Sequence, residues 1–470
     1  MIRMSGRTFY DYNREDTYMN QWIRKWYEDN SAKIVELSNE LWSHPESAFE
    51  EFYACQKTAE FMRDQGFDVQ EYDVKDGGGK PNCMIAKYGS GKPIIGILGE
   101  FDALSGLGQE AVPYRAPIQG PGHGCCHNLM GAGCAGAAAA LKLAMEQEGI
   151  GGTVVYYGCP AEEVLMGKVL MASRGWFDEL DLCLAWHPLA TEMQVIDFPW
   201  LSQTSLYFTF HGTAAHAATY PEQGRSALDA AELMNVGVQF LREHVTDDVR
   251  MHYTFTAAGE KPNIVPDYAQ LYYFIRSKNR DTNDDVVARV KDIARGAALM
   301  TGTTVEWSLD SACYNTFLNH RLNAAMYESA LKIPPVEWTE QEQDFAQELY
   351  KNVAGKDPNL TLLHTTVRKP IVEADPKPAT GSTDVGDVSH IVPTGQYMGL
   401  GMIPGLQNHH WNVTAVGGMS IGHKAELYAG KCIAQCAYDL FHSPEAIREM
   451  WDEFREARKD MKPYESILGK

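Results

Sequence analysis

The sequence predicts an α/β protein whose sheet is flanked by helices and whose chain is interrupted by an inserted ferredoxin-like α+β domain. Three observations support this fold class. Apolar runs suited to buried strands alternate with helical patterns up to about residue 200, a β-α-β-β-α-β order follows, and the α/β pattern returns after about residue 313. The 470 residues are also enough for two domains. We therefore expect a main domain formed by residues 1–200 and 314–470, with an inserted domain at 201–313.

The elements of the main domain follow from the spacing of apolar residues. Helical spacing predicts helices at 31–42, 50–65, 128–147 and 424–441. Asn128 is the expected N-cap of the helix that it begins. Continuous apolar runs predict buried strands at 92–99, 152–158 and 180–186, and a further strand begins near Gly66. Strands that alternate with helices predict a mostly parallel sheet with helices on both faces.

The inserted domain has a different pattern. Its strands are predicted at 205–211, 251–257, 269–276 and 303–309, and its helices at 224–242 and 284–299. The resulting β-α-β-β-α-β order is that of a ferredoxin-like domain.

Composition and charge exclude several partners and compartments. The net charge of −21 at pH 7 disfavours nucleic acid and anionic membranes, because both bind clustered Lys and Arg. Met1–Arg7 leads into a polar stretch without the apolar core of a secretory signal, and Leu129–Met145 is rich in Gly and Ala, which predicts a packed core helix rather than a membrane span. The ten cysteines lack the spacing of a disulfide framework. We therefore expect a cytoplasmic protein.

Residues suited to metal binding follow three predicted strands and precede one predicted helix. The segment Gly122–Asn128 enters the helix, while Glu100–Asp102, Glu162–Glu163 and His187 each end a strand. The carboxyl ends of parallel strands share one edge, where the ligand sites of α/β proteins form. Thiolate, imidazole and carboxylate groups are the ligands that zinc prefers. The coincidence of four such placements predicts a metal site.

Taken singly, each placement has a structural alternative. A Cys-x-His triplet is weak evidence for a metal, two consecutive glutamates often form a solvated acidic turn, and His187 could be a satisfied core histidine. Adjacent residues at a strand end point in different directions, so that one glutamate could bind metal while its neighbour acts as a general base.

Seen together, these motifs resemble the aminoacylase/glutamate-carboxypeptidase family of metallopeptidases, in its amidohydrolase branch. The matching segments, which keep the family's order over nearly the whole chain, are His123–Asn128, Pro160–Glu163, Gly212–Ala218, Asn263–Asp267 and Gly381–Asp384. The segments most similar to the aminobenzoyl-glutamate hydrolase B-subunit type are Gly99–Leu104, Ser382–Ser389 and Ser420–Lys424. The resemblance implies a zinc-peptidase-like mixed sheet with an inserted lid/dimerisation domain.

The resemblance also implies a role for each matched residue. It implies two divalent metal ions per subunit, zinc or manganese, and the implied ligands are Cys125, His127, Glu163, His187 and His409. Glu162 would be the general base. His216 would polarise the scissile carbonyl from the lid of a partner subunit, and Asn263 and Arg276 would hold the substrate's carboxylate.

Some positions depart from the family pattern or leave alternatives open. His410, and more distantly His423, are alternatives to His409 as the last ligand, and Cys126 is an alternative to Cys125. Asn128 stands where the branch has Asp, which removes one negative charge beside the metals. Glu100 occupies the position of a metal-binding His in the peptidase branch and is not expected to be a ligand here.

The predicted function is hydrolysis of the amide bond of a small N-acyl amino acid similar to aminobenzoyl-glutamate. We expect a homodimer, or an assembly with a second type of subunit, and no nucleic acid or membrane partner. A dipeptidase that acts on small unusual dipeptides is the alternative within the same chemistry. A non-catalytic binding protein on the same scaffold is the alternative from another class, but every expected catalytic position is filled.

Overall fold

The computed structural model describes residues 18–75, 78–359, 361–373 and 376–468. The segment Met1–Arg7, on which the prediction of no secretory signal depends, lies outside these residues. The described chain forms an eight-stranded sheet and a separate four-stranded sheet, both packed against helices. The predicted fold class is confirmed.

The large sheet belongs to the main domain, and its strand order is β1-β2-β4-β3-β5-β12-β6-β11. Its strands are β1 (Asp68–Tyr72), β2 (Cys83–Ser90), β3 (Ile94–Glu100), β4 (Gly152–Cys159), β5 (Leu182–Leu189), β6 (Met193–Val195), β11 (Val367–Arg368) and β12 (Thr394–Gly401). The central strands β4, β3, β5 and β12 are parallel. Their carboxyl ends therefore lie at one edge of the sheet.

The sheet is mostly parallel, as predicted, because β11 is also parallel to β6, but three of its seven pairings are antiparallel. Strand β2 is antiparallel to both β1 and β4, and β6 is antiparallel to β12. Residues 91–93 between β2 and β3 are too few for the crossover that parallel strands need, so β2 runs against its neighbours.

Twelve helices are found in the described residues. Those of the main domain are α1 (Gln21–Ser43), α2 (Phe52–Asp64), α3 (His127–Glu148), α4 (Gly167–Ser173), α7 (His320–Ala330), α8 (Glu340–Ala354), α9 (Val385–Ser389), α10 (Trp411–Gly417), α11 (Ser420–Phe441) and α12 (Pro444–Arg458). Helices α1 and α11 pack against α3, which is buried along most of its length. Gly131, Gly133 and Gly136 let these neighbours approach closely, because a Cβ at any of them would come within 3.1 Å of another atom.

Helix α3 confirms one prediction and corrects another. By length and composition it is the one helix among the described residues that could cross a membrane, but 89% of its most apolar window is buried inside the fold. It is the packed core helix that the sequence predicts. Asn128, however, is not its N-cap: the helix begins at His127 after Cys126, whose φ of 58° is left-handed. The buried Asn128 side chain instead donates to the Gly417 carbonyl, 3.0 Å away.

The inserted domain contains the small antiparallel sheet in the order β10-β7-β9-β8, with two helices packed on it. Its elements are β7 (Ser202–His211), α5 (Ala227–Leu241), β8 (Arg250–Ala257), β9 (Tyr268–Ser277), α6 (Arg280–Thr301) and β10 (Thr304–Cys313). This is the predicted ferredoxin-like arrangement. Strands β7 and β9 pair from Ser202 opposite Ser277 to His211 opposite Tyr268, so the sheet has one end near the main domain and one far from it.

Candidate metal centre

The carboxyl edge of the central strands brings the predicted metal-binding residues together. The Cys125 Sγ lies 3.3 Å from His187 Nε2. Three groups among the described residues have ligand atoms that all lie within 4.8 Å of one another, namely Cys125 with His127 and His187, Cys125 with Glu163 and His409, and Glu100 with His127 and Glu162. These residues come from the entrance of α3, the ends of β3, β4 and β5, and the loop before α10.

His127 shows most clearly what the centre is built to hold. Its Nδ1 donates to Asp102 Oδ1 at 2.9 Å, which leaves the lone pair of Nε2 for a cation. That Nε2 atom faces Glu100 Oε2 at 3.5 Å, Glu162 Oε2 at 3.9 Å and Glu163 Oε1 at 4.0 Å. Although burial lowers it, the charge of Asp102 raises the pKa of His127 well above its usual value, so without a metal the imidazole itself would carry the positive charge among these carboxylates. A bound divalent ion would replace that proton.

Unpartnered atoms in the same place support a cation. Among the described residues, His127 Nε2, Glu100 Oε2 and Glu163 Oε1 are buried and have no hydrogen-bond partner. Leaving a buried polar atom unpaired costs about 1–3 kcal/mol, and more for a charged group. Because all three atoms face one centre, a bound divalent ion would satisfy them together. The thiol, imidazole and carboxylate set also suits zinc.

His409, rather than its neighbour, extends to this centre. It adopts a left-handed φ of 51°, and its Nε2 lies 3.4 Å from Glu163 Oε2. The imidazole of His410 is instead bonded to the Asn412 side chain. His423 Nε2 lies 3.0 Å from Asn39 Oδ1, in another environment. The geometry therefore favours His409 among the three candidates.

Cys125 and Cys126 differ in the same way. The Cys125 thiol joins the cluster, whereas the buried Cys126 Sγ lies 3.5 Å from the Val413 carbonyl oxygen. His123, also near the centre in sequence, is buried and pairs its Nε2 with the Leu41 carbonyl oxygen at 3.1 Å. All ten cysteines lie in the described residues and are free, so the prediction of no disulfide framework is confirmed.

The backbone of the Pro160–Glu163 turn aims its two glutamates differently. Ala161 has a left-handed φ of 54°, and its N–H donates to the buried Glu51 carboxylate at 2.7 Å. The Glu163 N–H donates to Asp102 Oδ2 at 2.8 Å. Asp102 thus orients both His127 and the turn. The side chain of Glu162 lies with Glu100 and His127, whereas Glu163 also reaches Cys125 and His409.

Burial sets the protonation of these groups. Burial and the nearby His127 lower the pKa of His187 to about 4, and burial likewise lowers the pKa of His409, so both imidazoles stay neutral and able to bind a cation. Burial raises the pKa of Glu163 to about 7, because its charged form has lost water. A bound cation would reverse that effect on the carboxylate.

Two charged residues that the sequence analysis did not single out complete the surroundings. The fully buried Lys168 ammonium lies 2.5 Å from Glu100 Oε1 and 2.6 Å from Asp384 Oδ1. A lysine within the otherwise apolar stretch Gly167–Ala172 is the sequence signal that could have revealed this cluster. Asp384 falls inside the Gly381–Asp384 motif, but its partner lies 216 positions away in the chain.

The three predicted residues of the inserted domain are not together. Arg276 lies near the main domain, where its Nε donates to Gln203 at 2.7 Å and its Nη1 to the Thr380 carbonyl at 3.2 Å. Its charge helps to lower the pKa of His409, after the larger effect of burial. His216 and Asn263 are exposed at the other end of the sheet, where Ala217 N donates to the Asn263 carbonyl.

Strand β9 fixes the separation between these residues. Asn263 precedes Tyr268, the first residue of β9, and Arg276 lies eight positions after Tyr268. Eight residues of extended strand span roughly 26 Å. Within one chain, Asn263 and Arg276 therefore cannot hold the same carboxylate. The expected pair is compatible only with Arg276 of one subunit and Asn263 of another.

Comparisons with known proteins agree with this architecture. Residues 203–300 match the peptidase dimerisation domain. The chain is 36% identical to the B-subunit of p-aminobenzoyl-glutamate hydrolase from Escherichia coli, over 94% of this chain and 96% of the relative. It is 27% identical to Xaa-Arg dipeptidase of Mus musculus, over 91% and 90%. A solved dinuclear metal-binding peptidase of the M20 family from Bacillus subtilis has the same fold, with a TM-score of 0.60 at 18% identity over 88% of this chain and 99% of that one.

Proposed function

Because the chain belongs to the M20 family of metal-dependent peptidases and amidohydrolases, we propose that it hydrolyses the amide bond of a small N-acyl amino acid similar to p-aminobenzoyl-glutamate. The observation that carries this proposal is the set of unpartnered atoms of Glu100, His127 and Glu163 around one buried centre. The cluster lies at the carboxyl edge of parallel strands, where α/β enzymes bind their ligands.

Two divalent ions, zinc or manganese, would be held by the five predicted ligands Cys125, His127, Glu163, His187 and His409. Such ions lower the pKa of bound water and stabilise negative charge that develops on a carbonyl oxygen. The thiol of Cys125 favours zinc, whereas the three carboxylates around His127 are also suited to manganese.

Glu162 would act as the general base. Its carboxylate is buried beside His127 but belongs to a different group of ligand atoms from Cys125. Burial, with the charges of Glu100 and Asp384, holds its pKa well above the usual range, which favours a group that accepts a proton. Glu162 would take the proton of the attacking water and then deliver it to the nitrogen of the leaving amine.

Two subunits would complete one site. Arg276 would bind the free carboxylate of the substrate, since it is oriented by Gln203 and Thr380 and its charge contributes to lowering the pKa of His409. His216 and Asn263 would come from the partner's inserted domain, and His216 would polarise the scissile carbonyl. The Nδ1 of His216 accepts from Thr219 N at 3.2 Å, so its Nε2 carries a proton to donate.

We propose a cytoplasmic homodimer. The exposed Leu233, Val236 and Phe240 of α5 form an apolar stripe at helical spacing on the matched dimerisation domain, which supports pairing. The Escherichia coli relative is named as one subunit of its enzyme, so an assembly with a second type of subunit is the alternative for this chain. Sedimentation of the purified chain, alone and with candidate partners, distinguishes the two assemblies.

A dipeptidase is the second candidate, and the similarity to Xaa-Arg dipeptidase favours it. The two activities differ in whether the acyl group of the substrate carries a free amino group. Assaying zinc- and manganese-loaded protein against N-acyl amino acids and against dipeptides with the same C-terminal residues tests the choice. We expect faster cleavage of the N-acyl substrates. Faster cleavage of the dipeptides would favour the dipeptidase activity. If the protein cleaves neither class of substrate, both proposed activities are refuted.

A further inference from the structure

Behind the candidate metal centre lies a buried row of three charges, Glu100, Lys168 and Asp384. Their side chains are at most 2% exposed, and the Lys168 ammonium contacts one oxygen of each carboxylate. Asp384 also accepts the backbone N–H of Lys168 at 2.7 Å through its second oxygen, so it holds Lys168 at two points. Burying three charges is unfavourable unless each is paired and hydrogen-bonded.

The chain brings Lys168 to this position by an unusually close approach. Gly167 packs against the Pro160 carbonyl oxygen, and a Cβ at Gly167 would lie 1.7 Å from that oxygen. The contact folds Lys168 back under the Pro160–Glu163 turn. Asp384 arrives from the other side, at the start of α9.

Lys168 leaves Glu100 with one oxygen fixed and the other free. Glu100 Oε1 is bound by the ammonium, whereas Oε2 is buried, has no hydrogen-bond partner among the described residues and faces His127 Nε2 at 3.5 Å. A carboxylate held at one oxygen cannot rotate its free oxygen away without breaking the ion pair. Glu100 is therefore oriented toward the centre by Lys168.

We propose that Lys168, anchored by Asp384, is a positioning residue that holds Glu100 as an additional anionic group facing the cation that His127 would bind. This inference rests on the proposed function, since it assumes a cation at the centre. The sequence predicts only that Glu100 is not a ligand, and the proposal adds a role for its charge beside the cation. Lys168 also has an electrostatic role, because its positive charge offsets part of the negative charge of the carboxylates around the centre.

Metal affinity, measured by titration with zinc alone and with manganese alone, tests this role without depending on hydrolysis. The first variant is Glu100→Gln, which keeps the Lys168–Asp384 pair and a carbonyl oxygen for Lys168. The second is the charge-neutral double variant Lys168→Met with Asp384→Asn, which leaves Glu100 unheld. The matched control is Lys332→Met with Asp439→Asn, which removes a half-buried pair of 2.9 Å between the ends of α7 and α11.

We expect both site variants to bind metal about 10–100-fold more weakly, as is usual when a supporting residue of a metal site is lost, and the control to bind as the wild type does. Thermal unfolding reports whether each variant is folded. Wild-type metal affinity in Glu100→Gln overturns the proposal. If the double variant folds with wild-type affinity, Lys168 is not a positioning residue. If it does not fold, Glu100→Gln decides alone. Absence of hydrolysis by the wild type would instead refute the proposed function and leave these affinities interpretable.

Discussion

The carboxyl edge of the main sheet and the far end of the inserted sheet contrast in almost every physical property. The first gathers six candidate residues, of which Cys125, His127 and Glu162 are buried, Glu163 and His187 are partly buried, and His409 is exposed. The second presents His216 and Asn263 at the surface. A backbone hydrogen bond from Ala217, the residue after His216, to the Asn263 carbonyl connects the two segments. The first region brings its candidate ligands together and is largely buried, although the His409 side chain is 56% exposed, whereas the second presents separate residues at the surface.

This difference indicates that the two regions have different roles, metal binding in the first and substrate contact in the second. Charges that must be held close together despite repulsion need a rigid, dry environment, where a cation is worth most. Residues that must contact and release a substrate can lie on a movable surface. The register of β7 with β9 separates the two regions by the length of the inserted sheet, so the proposed site would need a second subunit to join them.

The largest expected effect separates chemistry from metal binding within the buried region. Glu162→Gln should lower kcat by about 10²–10⁴-fold, because the amide cannot accept the proton of the attacking water. Its metal content should stay at the wild-type level, because Glu162 is not one of the five proposed ligands. Elemental analysis and initial rates measure both quantities. Unchanged turnover would remove Glu162 as the base, and loss of metal would make it a ligand instead.

The exposed region should give the next largest effect. His216→Ala should lower kcat by about 10²–10³-fold, as is typical for loss of one donor to a developing oxyanion. Metal content and unfolding temperature should not change, since the side chain is exposed and remote from the cluster.

Mixed dimers test whether this residue acts across subunits. A purified heterodimer of Glu162→Gln and His216→Ala chains has one site with both residues intact, and it should recover about half of the wild-type activity per dimer. The two variant homodimers, which have no such site, are the controls. A heterodimer as inactive as both homodimers would place His216 and Glu162 of the same chain in one site.

Arg276 lies between the two regions, and its replacement should have a smaller effect. Arg276→Lys keeps the positive charge but loses the planar fork that binds a carboxylate at two points. We expect KM to rise about 10–100-fold, from the loss of a charged hydrogen bond, with little change in kcat. The methyl ester of the same substrate should discriminate little between variant and wild type. Equal effects on acid and ester would contradict the assignment.

The smallest effect concerns Asp387, a buried carboxylate outside the candidate metal centre. Burial raises the pKa of Asp387 to about 7, although Tyr314 N and the Tyr464 hydroxyl both donate to it. Between about pH 4 and pH 7 the folded protein therefore keeps a proton that the unfolded chain has released, and Asp387 destabilises the fold increasingly as pH rises through this window.

Asp387→Asn should thus raise the free energy of unfolding at pH 8 by about 1–3 kcal/mol, and the gain should disappear near pH 4. Denaturant unfolding at both pH values measures it. A gain that is equal at both pH values would show that ionisation of Asp387 is not the cause. The result would sharpen the contrast with Glu163, whose burial a bound cation should offset.

The sequence predicted much of this fold because the signals were local. The apolar run at 92–99 and the alternation of residues 205–211 correspond to β3 and β7. Strand β2 itself was not predicted, so its antiparallel placement, which the short link at 91–93 imposes, was not predicted either. The N-cap prediction at Asn128 failed because a tertiary contact with Gly417 overrode a local preference.

The site residues also differ in whether local sequence could reveal them. Cys125, His127 and the glutamate pair follow strand ends or precede a helix, and such positions can be recognised in a sequence. Lys168 and Asp384 meet only after folding, so no spacing in the chain could pair them. The resemblance implied His409 rather than His410, but the local sequence alone could not, because the choice depends on one left-handed φ angle that the residue types around it do not specify.

The most direct test of the central claim is the metal stoichiometry of the purified wild-type chain, measured together with its hydrolysis of p-aminobenzoyl-glutamate before and after chelation. The proposed centre predicts two zinc or manganese ions per chain, loss of hydrolysis on their removal and recovery when either metal is restored. A chain that binds neither metal, or that hydrolyses the substrate equally well after chelation, would contradict the claim that this buried cluster is a metal-dependent active site.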